Sequence, residues 1–236
     1  MSFLTSIIII LLVVVILTFM QLSTGVFSIF YHYSTAKHSR KKADDLSLDF
    51  ILGTESFHTF IWFFTYVITF SIVPFIQTSL YYILGWLFIV IFVLESIATL
   101  FFYYRKGESS ALFIPRSISY GLINHCIHTK KRSDAFLVGF VSCIPELLFT
   151  LPLFFTINYL FLYSPSFAYV FTIIIIILLA TIPLHIIRVI YRTNHNLANI
   201  ERLRIKFKPL FRIVVPLSYI LLAIAVFLII KDNIYG

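Results

Sequence analysis

In the stretch LGTESFHTF a carboxylate and an imidazole, Glu55 and His58, stand at the front of an apolar run that continues IWFFTYVITFSIVPF. Positions i and i+3 lie on one helix face, so a single helix would present an acid and a base, or two metal ligands, to its neighbour. Cys143 and Glu146 repeat that spacing in GFVSCIPELLFTLPLFF, and Glu95 adds a further carboxylate in LYYILGWLFIVIFVLESIATL. Glu55, His58, Glu95, Cys143 and Glu146 are therefore the candidate substrate or proton ligands. Glu55, His58 and Glu146, joined by Glu95 and Cys143 if all converge, are donors that a transition metal accepts. Glu-x-x-His is also the spacing of four-helix carboxylate metal sites, but those need a second copy, and only one stands here. The simpler alternative is that each group hydrogen-bonds across helices to Ser, Thr or Asn. His185, just above Arg188, is read as snorkelling or capping rather than ligating.

What must position these groups is a set of long apolar segments. Of 236 residues 60% are hydrophobic and only 12% charged, against about 25% charged in a soluble domain. Mean hydropathy is +0.99. A polytopic membrane protein follows. The net charge of +8 does not indicate nucleic acid, because the charges lie in short islands between apolar runs rather than on a continuous polar face. Two cysteines, Cys126 and Cys143, are too few for a disulfide framework or a Cys-rich zinc site.

A spanning helix needs about 20 apolar residues, since backbone amides in lipid must bond within their own segment. Six runs meet this, at roughly 3–30, 50–75, 78–103, 135–163, 167–191 and 210–230. The first lacks a basic n-region and a small-residue cleavage site, so it reads as a retained helix rather than a signal peptide. Apart from Lys231, every lysine and arginine falls at the links one-to-two, three-to-four and five-to-six. The links around Gln77 and around Ser164-Pro165-Ser166 carry no charge. The positive-inside rule then places both termini outside the cytoplasm of a cell or inner membrane.

The fold class expected is all-α, with six transmembrane helices arranged as two inverted three-helix halves. The first half is 1–107 and the second 135–236, with a cytoplasmic linker at 108–134 whose mixed sequence ALFIPRSISYGLINHCIH fits an amphipathic helix on the membrane surface or a solvated loop. Glu55 and His58 then lie about 10–15 Å into the membrane from its inner face. A central charged residue costs about 2.5–3.5 kcal/mol on insertion scales, so such groups face the bundle interior, pair or protonate. Gly25, Pro145 and Pro152 are the candidate helix-breaking positions, where a freed carbonyl could join a site. For Gly25 and Gly53 close helix packing is the favoured use.

Helix one, MQLSTGVFSIFYHYSTAKHSRKKADD, a helix opening with LG, LYYILGWLFIVIF in helix three and GFVSCIPELLFTLPLFF at the start of the second half resemble the lysine exporter superfamily of small six-helix transporters. The resemblance covers most of the chain as a layout. Ser23-Thr24-Gly25 stands where that family has proline beside glycine, and Ile144-Pro145 where it has Asn-Pro. Related thiol-disulfide carriers use one cysteine in each half, whereas Cys143 has no mate in helix one. The nickel and cobalt permeases of the wider group carry a His and Asp cluster in helix two, where this chain has Glu55 and His58.

The function expected is export of a small solute or cation, coupled to an ion gradient because no ATP-binding sequence is present. No enzyme signature stands out and no cofactor is called for. The partners expected are the bilayer and the transported solute, with a homo-oligomer compatible. Two alternatives belong to other classes: a non-transporting subunit whose basic inner face recruits a protein or anionic lipid, and a haem-bearing electron carrier with His58 and His185 as axial ligands.

Overall fold

The computed structural model describes residues 3–35, 39–72, 75, 78–103, 125, 128–160, 167–193 and 213–231. All of the extended elements among them are helices: α1 Phe3–Thr35, α2 Arg40–Ile72, α3 Thr78–Ala98 running on as a π-helical turn Thr99–Tyr103, α4 Arg132–Ser142, a 3-10 turn Ile144–Glu146, α5 Leu147–Leu160, α6 Phe167–Thr193 and α7 Ile213–Lys231. Runs such as IIIILLVVVIL are rich in β-branched residues that favour strands in water. In a setting without water, a helix satisfies every amide within its own segment, and that requirement overrides the propensity.

Five segments are long and apolar enough to cross a membrane: Thr5–Leu22 of α1, Leu80–Phe101, Arg132–Leu160 across α4 and α5, Tyr169–Thr193 of α6, and Ile213–Lys231 of α7. The sixth expected run lies in α2, which is not among them. Glu55, His58 and the threonines at 54, 59, 65 and 69 dilute its apolar content. α2 also begins at Arg40, well ahead of its apolar run, because Ser39 caps it: the Ser39 hydroxyl accepts from Lys42 N–H at 3.3 Å and the Ser39 carbonyl from Ala43 N–H at 3.1 Å.

α2 is apolar outward, and its buried face mixes apolar side chains such as Phe50, Phe57 and Ile61 with polar ones. Thr54, His58, Thr65 and Thr69 are buried, while Phe60, Phe63, Phe64 and Val67 are about half exposed at i, i+3, i+4 and i+7 spacing. Its inward face packs on α4 most of all, then on α6, α5 and α1, and α1 packs on α6. α3 meets α7 through stacked Phe92 and Tyr219 and through Ser96, whose hydroxyl donates to the Pro216 carbonyl at 3.1 Å.

The α2–α4 crossing is set by two glycines that face each other's backbones. A Cβ on Gly53 would collide with the Phe136 carbonyl oxygen and lie 2.9 Å from Phe140 N, and one on Gly139 would collide with the Phe50 carbonyl oxygen and lie 2.9 Å from its carbon. Gly25 sits inside an unbroken α1 with Leu184 against it, a Cβ there falling 2.6 Å from Leu184 Cδ2. Gly25 therefore packs and does not break its helix. Pro152 likewise lies within continuous α5, where surrounding packing holds the helix despite the missing N–H. Pro145 does mark an interruption, at the 3-10 turn between α4 and α5. Most of the linker 108–134, Cys126, and the links at Gln77 and 164–166 lie outside the described residues.

Candidate functional site

The interruption at Pro145 places two chemical groups together. Cys143 closes α4 and opens the 3-10 turn that ends at Glu146. In 3-10 geometry the side chains at i and i+3 eclipse, so thiol and carboxylate share one side. Both residues are fully buried. They face His58 of α2, and one ligand atom from each of His58, Cys143 and Glu146 lies within 4.8 Å of the other two.

His58 is held by its own helix. Its Nδ1 stands 2.8 Å from the Thr54 carbonyl oxygen, which can only accept, so that nitrogen carries the proton and Nε2 presents a lone pair to the cluster. The Gln21 amide of α1 completes the arrangement, donating to His58 Nε2 at 3.1 Å and to Cys143 Sγ at 3.9 Å. The thiol is also 3.5 Å from the Gly139 carbonyl oxygen. Phe154, with its ring centroid 6.3 Å from that of His58, supplies part of the apolar wall.

Glu55 turns the other way. Its Oε1 accepts from the Thr181 hydroxyl at 2.6 Å and lies 3.3 Å from His185 Nε2, both on α6. Residues three apart are 60° apart around a helix, and α2 sits where that angle divides two neighbours. Glu55 and His58 therefore serve separate stations. His185 is a partner of Glu55 rather than a group left to snorkel beside Arg188. Beside Glu55 an open groove of about 570 Å³ is bounded by Leu52, Phe60, Phe63, Ile174 and Leu178. Glu95 stands apart on α3 just before the π-helical turn; it is buried, and among the described residues neither carboxylate oxygen has a hydrogen bond.

Two acids at the polar end of the bundle are paired with arginines. Arg188 donates to both oxygens of Asp44 at 2.8 and 2.9 Å, Arg192 approaches at 3.5 Å, and the Tyr33 hydroxyl donates at 3.0 Å. Arg132 forks onto Asp49 at 2.6 and 3.0 Å. Burial pushes the Asp44 carboxyl upward, but the Arg188 and Tyr33 hydrogen bonds outweigh it and hold the group below the usual carboxylate range. Burial and the neighbouring Asp44 raise the Tyr33 phenol above its ordinary value. At the opposite end Trp62 donates to the Tyr169 hydroxyl at 3.2 Å, that hydroxyl donates to Asn158 Oδ1, and Asn158 donates to Thr65 at 3.0 Å.

Of the candidate ligands, then, His58, Cys143 and Glu146 come together, Glu55 joins α6, and Glu95 lies outside both groups. Gln21, Thr181 and Asp44 were not marked by sequence reasoning. A lone amide inside MQLSTG is the signal that could have found the first. Neither a family model, nor a curated protein, nor a solved structure matches the chain.

Proposed function

We propose that the chain is a multi-pass membrane transporter that moves a small cation or polar solute by alternating access, outward from the cytoplasm. The observation that carries this reading is the buried His58–Gln21–Cys143–Glu146 cluster beside an interrupted helix. Ionisable groups at that depth are costly unless used, and a broken helix offers backbone and side-chain ligands to one point. In this reading α2 is the sixth span. Its outward phenylalanines and inward threonines are the pattern that lipid selects, the reverse of a water-facing helix.

Two further features support it. α1 packs on α6 and α2 on α4, the pairs that an exchange of inverted halves would interconvert. The paired acids Asp44 and Asp49 sit with the arginines at the end assigned to the cytoplasm, whereas the central cluster gathers an imidazole, a thiol and a carboxylate at one point.

Alternating access makes Cys143 reachable in turn from each side. In a Cys126→Ser background, a membrane-impermeant thiol reagent should label Cys143 in right-side-out and in inverted vesicles alike. Labelling from neither side while the protein remains folded, or from one side only, refutes the reading.

A further inference from the structure

We propose that His58, Cys143 and Glu146 bind a divalent transition-metal ion of the zinc and cobalt type, which names the cargo class of the same cluster and rests on its being a solute site. The donor set is one imidazole nitrogen, one sulfur and one carboxylate oxygen. Calcium and magnesium require six or more oxygens, many of them carboxylate or carbonyl, and one carboxylate cannot supply them. Thiolate and imidazole instead select borderline and soft ions.

Charge points the same way. A thiolate and a carboxylate together cancel a divalent ion, so the filled site is neutral inside an apolar core, whereas a monovalent ion would leave it negative. Metal binding takes thiolate, carboxylate and neutral imidazole, so any proton held by the thiol or carboxyl is released to solvent as the lone pair closes on the metal, and the imidazole contributes its lone pair without change of charge.

The groups that would orient the ligands are already in place. The Thr54 carbonyl fixes His58 with Nε2 toward the cluster, the arrangement by which outer-shell acceptors orient metal-ligating histidines. The Gln21 N–H group now donates to His58 Nε2 and Cys143 Sγ, standing where a cation would stand. Rotation of that amide about its last bond withdraws the donor and turns its oxygen inward as a fourth ligand. Metal–ligand distances of about 2.0–2.3 Å in a tetrahedron place ligand atoms about 3.5 Å apart, so three atoms now within 4.8 Å of one another need draw in by no more than about 1.3 Å.

The test is cobalt titration of the full-length, metal-stripped protein in detergent, followed by its absorption spectrum. One Co²⁺ per chain, with the intense visible bands of a tetrahedral ion and a sulfur-to-cobalt charge-transfer band, is expected. Cys143→Ser should remove the charge-transfer band, Glu146→Gln should weaken binding at least about tenfold, and Cys126→Ser should change neither. In the unaltered protein Zn²⁺ should displace the cobalt and protect Cys143 from alkylation, a readout independent of how the variants fold. No bound cobalt, a charge-transfer band that survives Cys143→Ser, or no protection by zinc overturns the inference. Labelling of Cys143 from both membrane faces without metal binding would leave a solute site but refute the metal; tight cobalt binding without two-sided labelling would keep the metal and refute transport.

Discussion

Replacing Gly53 or Gly139 by alanine tests whether the α2–α4 crossing is as close as described. Each added Cβ meets backbone, which cannot rotate aside. With Phe140 N or the Phe50 carbonyl carbon at 2.9 Å and ordinary contact at about 3.5 Å, the helices must part by at least about 0.6 Å. Overpacking of this kind costs about 1–3 kcal/mol. At about 2–4 °C per kcal/mol for a chain of this size, either variant should melt on the order of 5 °C below the unaltered protein. The fluorescence of Trp62 and Trp86 in detergent would follow the transition. Since both glycines lie in one interface, the double variant should lose less than the sum of the two. Gly25→Ala meets only the flexible end of Leu184 and should cost less than either. α2 and α4 also carry His58 and Cys143, so the same displacement should weaken any ligand that needs them together. A melting temperature within about 1 °C of the unaltered protein in both single variants would refute the crossing.

Two further predictions concern the polar end. Asp44→Asn should lower the melting temperature at neutral pH. Because the folded-state pKa of Asp44 lies below its ordinary value, its contribution is present above about pH 4 and fades as pH falls through the folded value, so the two melting temperatures should converge in acid; a gap that stays constant with pH contradicts the Arg188 pairing as its source. Single cysteines at 37–42, 104–134 and 192–208, on a background lacking Cys126 and Cys143, should resist impermeant thiol reagents in intact cells, and labelling of any of them from outside reverses the orientation.

The apolar runs placed the helices because length and hydropathy are properties of a segment by itself. Which residues meet is a property of two segments, and there the sequence was silent. Glu55 and His58 share a helix face by spacing, yet the 60° between them was enough for α6 to take one and α4 the other. Cys143 and Glu146 came together as their spacing suggested, helped by the proline that turns α-helix into 3-10 geometry between them. Pro152 shows the limit of that signal, since the same residue type in α5 leaves its helix continuous. Gln21 is a lone amide in an apolar run, which marks the position, but its own segment does not say what it faces until α1 is packed against α2. Asp44 and Arg188 are 144 positions apart. A count of basic residues yields an expected orientation but not that pair.

Zinc flux in proteoliposomes with a trapped fluorescent chelator addresses the transport claim most directly. The account predicts that the unaltered protein carries Zn²⁺ faster than protein-free vesicles, saturably and under an imposed pH gradient, and that Glu146→Gln, incorporated at equal density and equally folded, loses that flux. Zinc entry no faster than in protein-free vesicles under gradients of either sign, or full flux in Glu146→Gln, would contradict it.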